Sequence, residues 1–160
     1  MISVDDAMWF IDEAIDGLID VVGGLGDDLA NRRLDVPGSN SPYALLSHCL
    51  GVMEYWGGHV IAGRAIERDR DAEFRASGPV APLIERTAAA RSRLAADVAD
   101  LDPVAPPRGK VQPDDALMAL GRTRGGALIH IYEELAQHRG QVEVSADVLR
   151  APWVRTLPPG

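Results

Sequence analysis

The chain has 160 residues, 46% of them apolar and 25% charged, which supports one globular domain with a real core rather than a disordered chain. A formal charge of −8, with Lys110 as the single lysine and the arginines scattered, excludes a general nucleic-acid surface, because phosphate contacts need concentrated positive charge. No apolar run reaches the roughly 18 residues of a membrane span, the acidic opening MISVDDAMWF lacks the basic start of a secretory signal, and the lone Cys49 leaves no intrachain disulfide, so a cytoplasmic protein is expected.

The first predicted helix runs from about Ser3 to Asn31, with Ser3 as N-cap and Asp5 and Asp6 in the first turn. Ala7, Ile11, Ile15, Leu18, Val22, Leu25 and Leu29 step by fours and threes, which marks one buried face. Gly23, Gly24 and Gly26 predict a kink or an early end. The second helix opens at SPYALLSHCLGVMEYW, where Ser41 caps and Pro42 takes the first helical position. Leu45, Cys49, Val52 and Tyr55 or Trp56 form its inner stripe, with His48 on the flank of that face. Residues 64–77, RAIERDRDAEFRAS, are charged enough to read as an exposed crossover with room for a helical turn.

A third helix is expected over Val80–Leu101, followed by the Pro-rich break DPVAPPRGKVQP. A short helical piece from Asp114 to Leu120 leads through GRTRGG into a fourth helix, about Ala127–Leu149, and the tail APWVRTLPPG is irregular. No period-two strand pattern and no repeat occur. The expected fold is all-α, a bundle of four main helices in a single domain over residues 1–160, with a long crossover between the second and third.

The chemistry concentrates in HIYEELAQHRGQ, residues 130–141. His130, Glu134 and His138 are four apart, and i,i+4 side chains share a helix face with Cβ atoms about 5–6 Å apart. His138 falls in the apolar stripe of Ala127, Ile131, Leu135 and Val142, with Glu134 beside it. A carboxylate facing a core is costly unless paired or bound to metal. His48 completes a possible set of two imidazoles and one carboxylate, a three-ligand site with an open position, which is the mark of a catalytic zinc. Spacing alone leaves open the alternative that the trio is the wet edge of an amphipathic helix. His59 near a helix end is better explained by the helix dipole. Glu133 reads as solvated, Tyr132 as surface or interface, and Cys49 as a buried apolar thiol rather than a nucleophile. Trp9, Trp56 and Trp153 line either a pocket or an interface, and a homodimer is among the expected partners.

The pairing of LLSHCLGVMEYW with HIYEELAQHRGQ resembles the DinB-like superfamily, and within it the actinobacterial mycothiol-dependent S-transferases and the N-terminal domain of mycothiol-dependent maleylpyruvate isomerase. The resemblance covers nearly the whole chain. It implies His48, Glu134 and His138 as ligands of a divalent metal, zinc first, with nickel or iron as alternatives. His138, Gly140 and Gln141 match the H-x-G-Q end of the motif, and His130 matches a form seen in the mycothiol transferase branch. The lead-in GRTRGGAL and the helix-two opening NSPYALL depart from the family pattern near the substrate pocket, which puts the substrate in doubt more than the metal.

The implied function is transfer of a low-molecular-weight, mycothiol-like thiol to a small electrophile. Metal coordination stabilises the thiolate, the nucleophilic form of a thiol whose free pKa is about 8.5. His130, Arg124 and Gln141 are assigned as supporting or substrate-contacting residues, with Arg122 or Arg124 as partner of a carboxylate. Two other readings stay open. One is hydrolysis on the same metal, with Glu133 or Glu54 as candidate base; the other is a non-catalytic bundle that binds a ligand or dimerises. No nucleic-acid or membrane partner is expected.

Overall fold

The computed structural model describes residues 3–113 and 118–151, and among them every regular element is helical. The first helix, α1 (Val4–Ala30), begins where Ser3 accepts the Asp6 N–H at 3.0 Å and Asp6 accepts the Ser3 N–H at 3.2 Å, a reciprocal capping box. Ala7, Ile11, Ile15, Leu18, Val22 and Leu25 are buried as their spacing requires, joined by Ala14. The kink falls at Gly26, whose φ of 66° lies in the left-handed region that glycine alone enters without strain.

The second helix, α2 (Pro42–Val52), starts as its sequence predicts. Ser41 Oγ accepts the Ala44 N–H at 3.2 Å, and Pro42 occupies the first turn, where no partner for its missing N–H is needed. Ser41 is itself buried. Ser41→Ala is therefore expected to lower stability by about 1 kcal/mol, read in a urea melt, whereas an unchanged midpoint would show that Pro42 alone sets the helix start. The helix then continues without a break as a π-helical segment, Met53–Ile61, which buries Met53, Trp56, Val60 and Ile61. Its wider turn has no sequence signature comparable to a cap.

The chain next crosses over through α3 (Arg70–Arg75), capped by Asp69, to α4 (Val80–Val98). The start of α4 has no side-chain cap of its own. Instead Asp27, from the end of α1, accepts the Val80 N–H at 2.8 Å. Asn31 beside it exchanges two hydrogen bonds with the Gly78 backbone, at 2.9 and 3.0 Å. Val80, Leu83, Thr87, Ala90, Leu94 and Val98 form the buried stripe of α4, which ends short of the expected Leu101.

The Pro-rich segment that follows is tied down by backbone bonds, Arg108 N–H to Val60 O among them. The helical piece expected at 114–120 falls partly outside the described residues, while Ala119–Arg122 is helical as α5. The last helix, α6 (Arg124–Arg150), begins three residues before the expected Ala127 because Thr123 caps it, accepting the Gly126 N–H at 3.0 Å. It packs on α1, on α2 and on the π-helical segment, while α4 packs on α1 and the π-helical segment. Their apolar faces meet in one core in which Ile11, Ile15, Leu18, Leu45, Leu46, Ile131 and Leu135 are fully enclosed. Each such side chain contributes about 1.5–3 kcal/mol of burial, enough to offset the cost of the polar groups described next. No described helix is long and apolar enough to cross a membrane.

Candidate functional site

Three fully buried positions on α6, Ile131, Leu135 and Val142, fix how that helix is turned toward the core. This places His130, Glu134 and His138 along the border between core and solvent, with side chains 14%, 24% and 17% exposed. His138 therefore lies at the edge of the apolar stripe rather than inside it. His48 is deeper than the flank position expected for it, at 1% exposure among the core residues of α2.

A buried imidazole needs partners for both ring nitrogens, and His48 has two. Nε2 faces Glu134 Oε2 at 2.9 Å across to α6. Nδ1 faces Glu73 Oε2 at 2.8 Å, on α3. Phe74, the next residue of α3, stacks on the same ring at a centroid distance of 4.4 Å. Arg68 clamps Glu73 from the other side with bonds of 2.7 and 2.9 Å. The crossover read from sequence as exposed thus carries two largely buried side chains, Arg68 and Glu73, onto the site. Its charge run hid them. The signal that pointed to them was indirect: a buried histidine requires a partner for its second ring nitrogen.

His138 Nε2 lies 3.5 Å from the Glu134 Oε2 that also meets His48. Its Nδ1 donates to Gln141 Oε1 at 3.1 Å, one helical turn on. The His48 and His138 rings meet edge to face at 4.8 Å. One donor atom each from His48, Glu134 and His138 can be chosen so that all lie within 4.8 Å of one another. The two contacts to Glu134, 2.9 and 3.5 Å, bracket the roughly 3.4 Å between ligand atoms of a tetrahedral zinc with bonds of about 2.0–2.1 Å. The donor set, two imidazoles and a carboxylate, suits a borderline divalent cation.

Electrostatics agree with a carboxylate held between imidazoles. His138 and His48 hold the Glu134 carboxyl far below the usual carboxylate range, against the opposing effect of burial. Burial opposes a second proton on His48, but the carboxylates of Glu134 and Glu73 outweigh it and raise its pKa. Burial likewise works to raise Glu73, and His48 and Arg68 outweigh it to leave it lowered. Cys49 adjoins His48 in sequence and is fully buried; burial pushes its thiol pKa up, so it is a neutral core group and no nucleophile.

Beside two of the three donors opens a cavity of about 350 Å³ lined by His48, Val52, Trp56, Arg68, Arg70, Leu120, His130 and Glu134. Trp56 is buried rather than exposed, and meets the His130 ring edge-on at 4.7 Å. Trp9 is exposed at 59%, and Trp153 lies outside the described residues. His130 Nδ1 pairs with Glu133 at 3.1 Å, and its Nε2 stays 3.9 Å from Glu134 Oε1. The arginines that line this cavity are Arg68 and Arg70. Arg122 is exposed, and Arg124 opens α6 with a buried Nε that no described group accepts from.

Other polar residues serve elsewhere. His59 stands in the last turn of the π-helical segment, as its helix-end reading requires, and also meets two loop carbonyls, Arg64 O at 2.9 Å from Nδ1 and Lys110 O at 3.0 Å from Nε2. Glu54 pairs with Arg93 at 2.7 Å. Glu133 is half exposed and also binds Gln137. Tyr132 is partly buried, its ring 5.7 Å from Phe10. Residues 8–152 match a family model described as Mycothiol-S-transferase. No curated protein matches the chain.

Proposed function

The chain belongs to the mycothiol S-transferase family, and we propose that His48, Glu134 and His138 hold a divalent metal, zinc foremost, for transfer of a mycothiol-like thiol to a small electrophile. The observation that carries this reading is the way the two imidazoles are held. Each donates from Nδ1 to a fixed acceptor, Glu73 for His48 and Gln141 for His138, and each turns Nε2 toward the one Glu134 carboxylate. That is the orientation ligating histidines need, with the outer nitrogen bonded and Nε2 turned to the place where a metal would stand between it and the Glu134 carboxylate.

A bound divalent cation supplies the positive charge that keeps a thiol ionised near neutral pH, where a free thiol of pKa about 8.5 is mostly protonated. The protein's own residues do the rest. Glu134, held ionised, provides the anionic ligand. Val52, Trp56 and Leu120 form apolar walls that displace water from the reacting sulfur. Arg68 and Arg70 bring positive charge to the cavity of an otherwise acidic protein, which favours an anionic thiol or electrophile. The thiol proton passes to solvent, the sulfur forms the new bond to the electrophile, and any leaving group departs with its electron pair.

In this reading the chain is one DinB-like domain over residues 1–160, a four-helix bundle formed by α1, α2 with its π-helical continuation, α4 and α6, acting in the cytoplasm. The two candidate bases for hydrolysis, Glu54 and Glu133, do not line the cavity: Glu54 is tied to Arg93, and Glu133 sits half exposed on His130. Elemental analysis of protein purified without an affinity tag is expected to give one divalent ion per chain. That protein is then expected to turn over a chromogenic electrophile only when mycothiol is added. Absence of a stoichiometric ion, with wild type and His48→Ala indistinguishable, sinks the proposal. Ester or amide turnover without thiol would transfer the site to hydrolysis.

A further inference from the structure

The short helix α3 has no fully buried residue, yet it delivers two contacts to one ring, Glu73 to Nδ1 of His48 at 2.8 Å and Phe74 stacked on its face at 4.4 Å. The neighbouring chain is shaped to admit it. A Cβ built on Gly51 of α2 would collide with the Glu73 carboxylate, so glycine at that position is what lets the acid reach the histidine. Beside Glu73, Arg68 Nη2 stands 3.4 Å from the same Nδ1, a donor next to the atom that must itself donate if Nε2 is to bind a metal.

From this arrangement we propose that Glu73 is a positioning residue for the metal, acting through His48. It accepts the Nδ1–H of His48 and so fixes the ring with Nε2 turned toward Glu134, where it can give its lone pair to a metal, while its bonds to Arg68 keep that guanidinium from claiming Nδ1. This rests on the metal reading above and extends it to Glu73 on α3 and to a clearance at Gly51 on the helix that carries His48. Without Glu73, the group left facing Nδ1 is the Arg68 donor, which favours the opposite tautomer, protonated at Nε2 and unable to ligate.

The test measures Zn²⁺ affinity by competition with a chromophoric chelator, alongside the visible spectrum of the Co²⁺ form and a thermal melt. Wild type is expected to bind Zn²⁺. Glu73→Ala is expected to bind about 10–100-fold more weakly, the usual loss for an outer partner of a ligating histidine, with an altered Co²⁺ spectrum. Glu73→Gln, whose amide oxygen still accepts from Nδ1, is expected to recover most of the affinity. Removing the competing donor as well, in Glu73→Ala/Arg68→Ala, is expected to recover part of it. Gly51→Ala changes no charge and is expected to behave like Glu73→Ala. If it melts below the assay temperature, the Glu73 variants decide.

A purely structural ion pair predicts lowered melting temperatures with unchanged Zn²⁺ affinity across the series, and that result overturns the inference. Wild type that binds no Zn²⁺ overturns the metal reading itself. Wild-type binding matched by Glu73→Ala overturns only the role of Glu73.

Discussion

Glu134→Ala is expected to stay folded, to retain no stoichiometric divalent metal and to transfer no mycothiol. Glu134 is the only carboxylate among the three donors, and it stands between the other two, 2.9 Å from His48 and 3.5 Å from His138. Its removal takes away both a ligand atom and the one formal negative charge of the set, so the affinity loss should exceed the about 10–100-fold cost of losing an outer partner. The fold should survive because Glu134 borders the cavity, where water can take up the freed His48 Nε2. Glu134→Gln keeps the shape without the charge and is expected to fall on the same side. Elemental analysis, a melt and the thiol-dependent assay read all three properties. Wild-type metal content in Glu134→Ala would remove this residue from the site.

Leu135→Ala is expected to destabilise the protein by about 2–5 kcal/mol. Leu135 is fully enclosed, and it adjoins Glu134 on the helix that carries two of the three donors. For a chain of this size each kcal/mol moves the melting temperature by roughly 2–4 °C, so a fall on the order of 10 °C should appear by calorimetry. Val144→Ala is the matched control. Val144 lies on the outer face of the same helix at 64% exposure, and its truncation should change stability by no more than about 0.5 kcal/mol. Equal effects at the two positions would mean that α6 is not turned as described.

Local chemistry made much of this legible in advance. Ser3 and Ser41 each sit before a helix-forming run, and a hydroxyl that satisfies an orphan N–H acts within three residues, so both helix starts could be read directly. The buried stripe of α1 follows from a period that any amphipathic helix must keep. The starts of α4 and α6 were less visible for different reasons. The cap of α4 is Asp27, 53 residues away, and Thr123, which caps α6, stands inside a glycine-rich lead-in that reads as loop. The π-helical segment also escaped, because its wider turn depends on how Trp56 and its neighbours pack.

At the site, the i,i+4 spacing of Glu134 and His138 was enough to put them on one face, and HIYEELAQHRGQ with LLSHCLGVMEYW pointed to the family whose model the chain matches. What the sequence by itself determined is therefore everything of short range: helix starts, apolar faces, and the pairing of Glu134 with His138. Only the tertiary structure decided the depth of His48, the edge position of His138, and the descent of Arg68 and Glu73 from a charged crossover onto a buried ring. A charged run is solvated or buried according to what lies opposite it, and that partner is set by folding. Here the desolvated His48 supplies it, 25 residues away from Glu73 and 86 from Glu134.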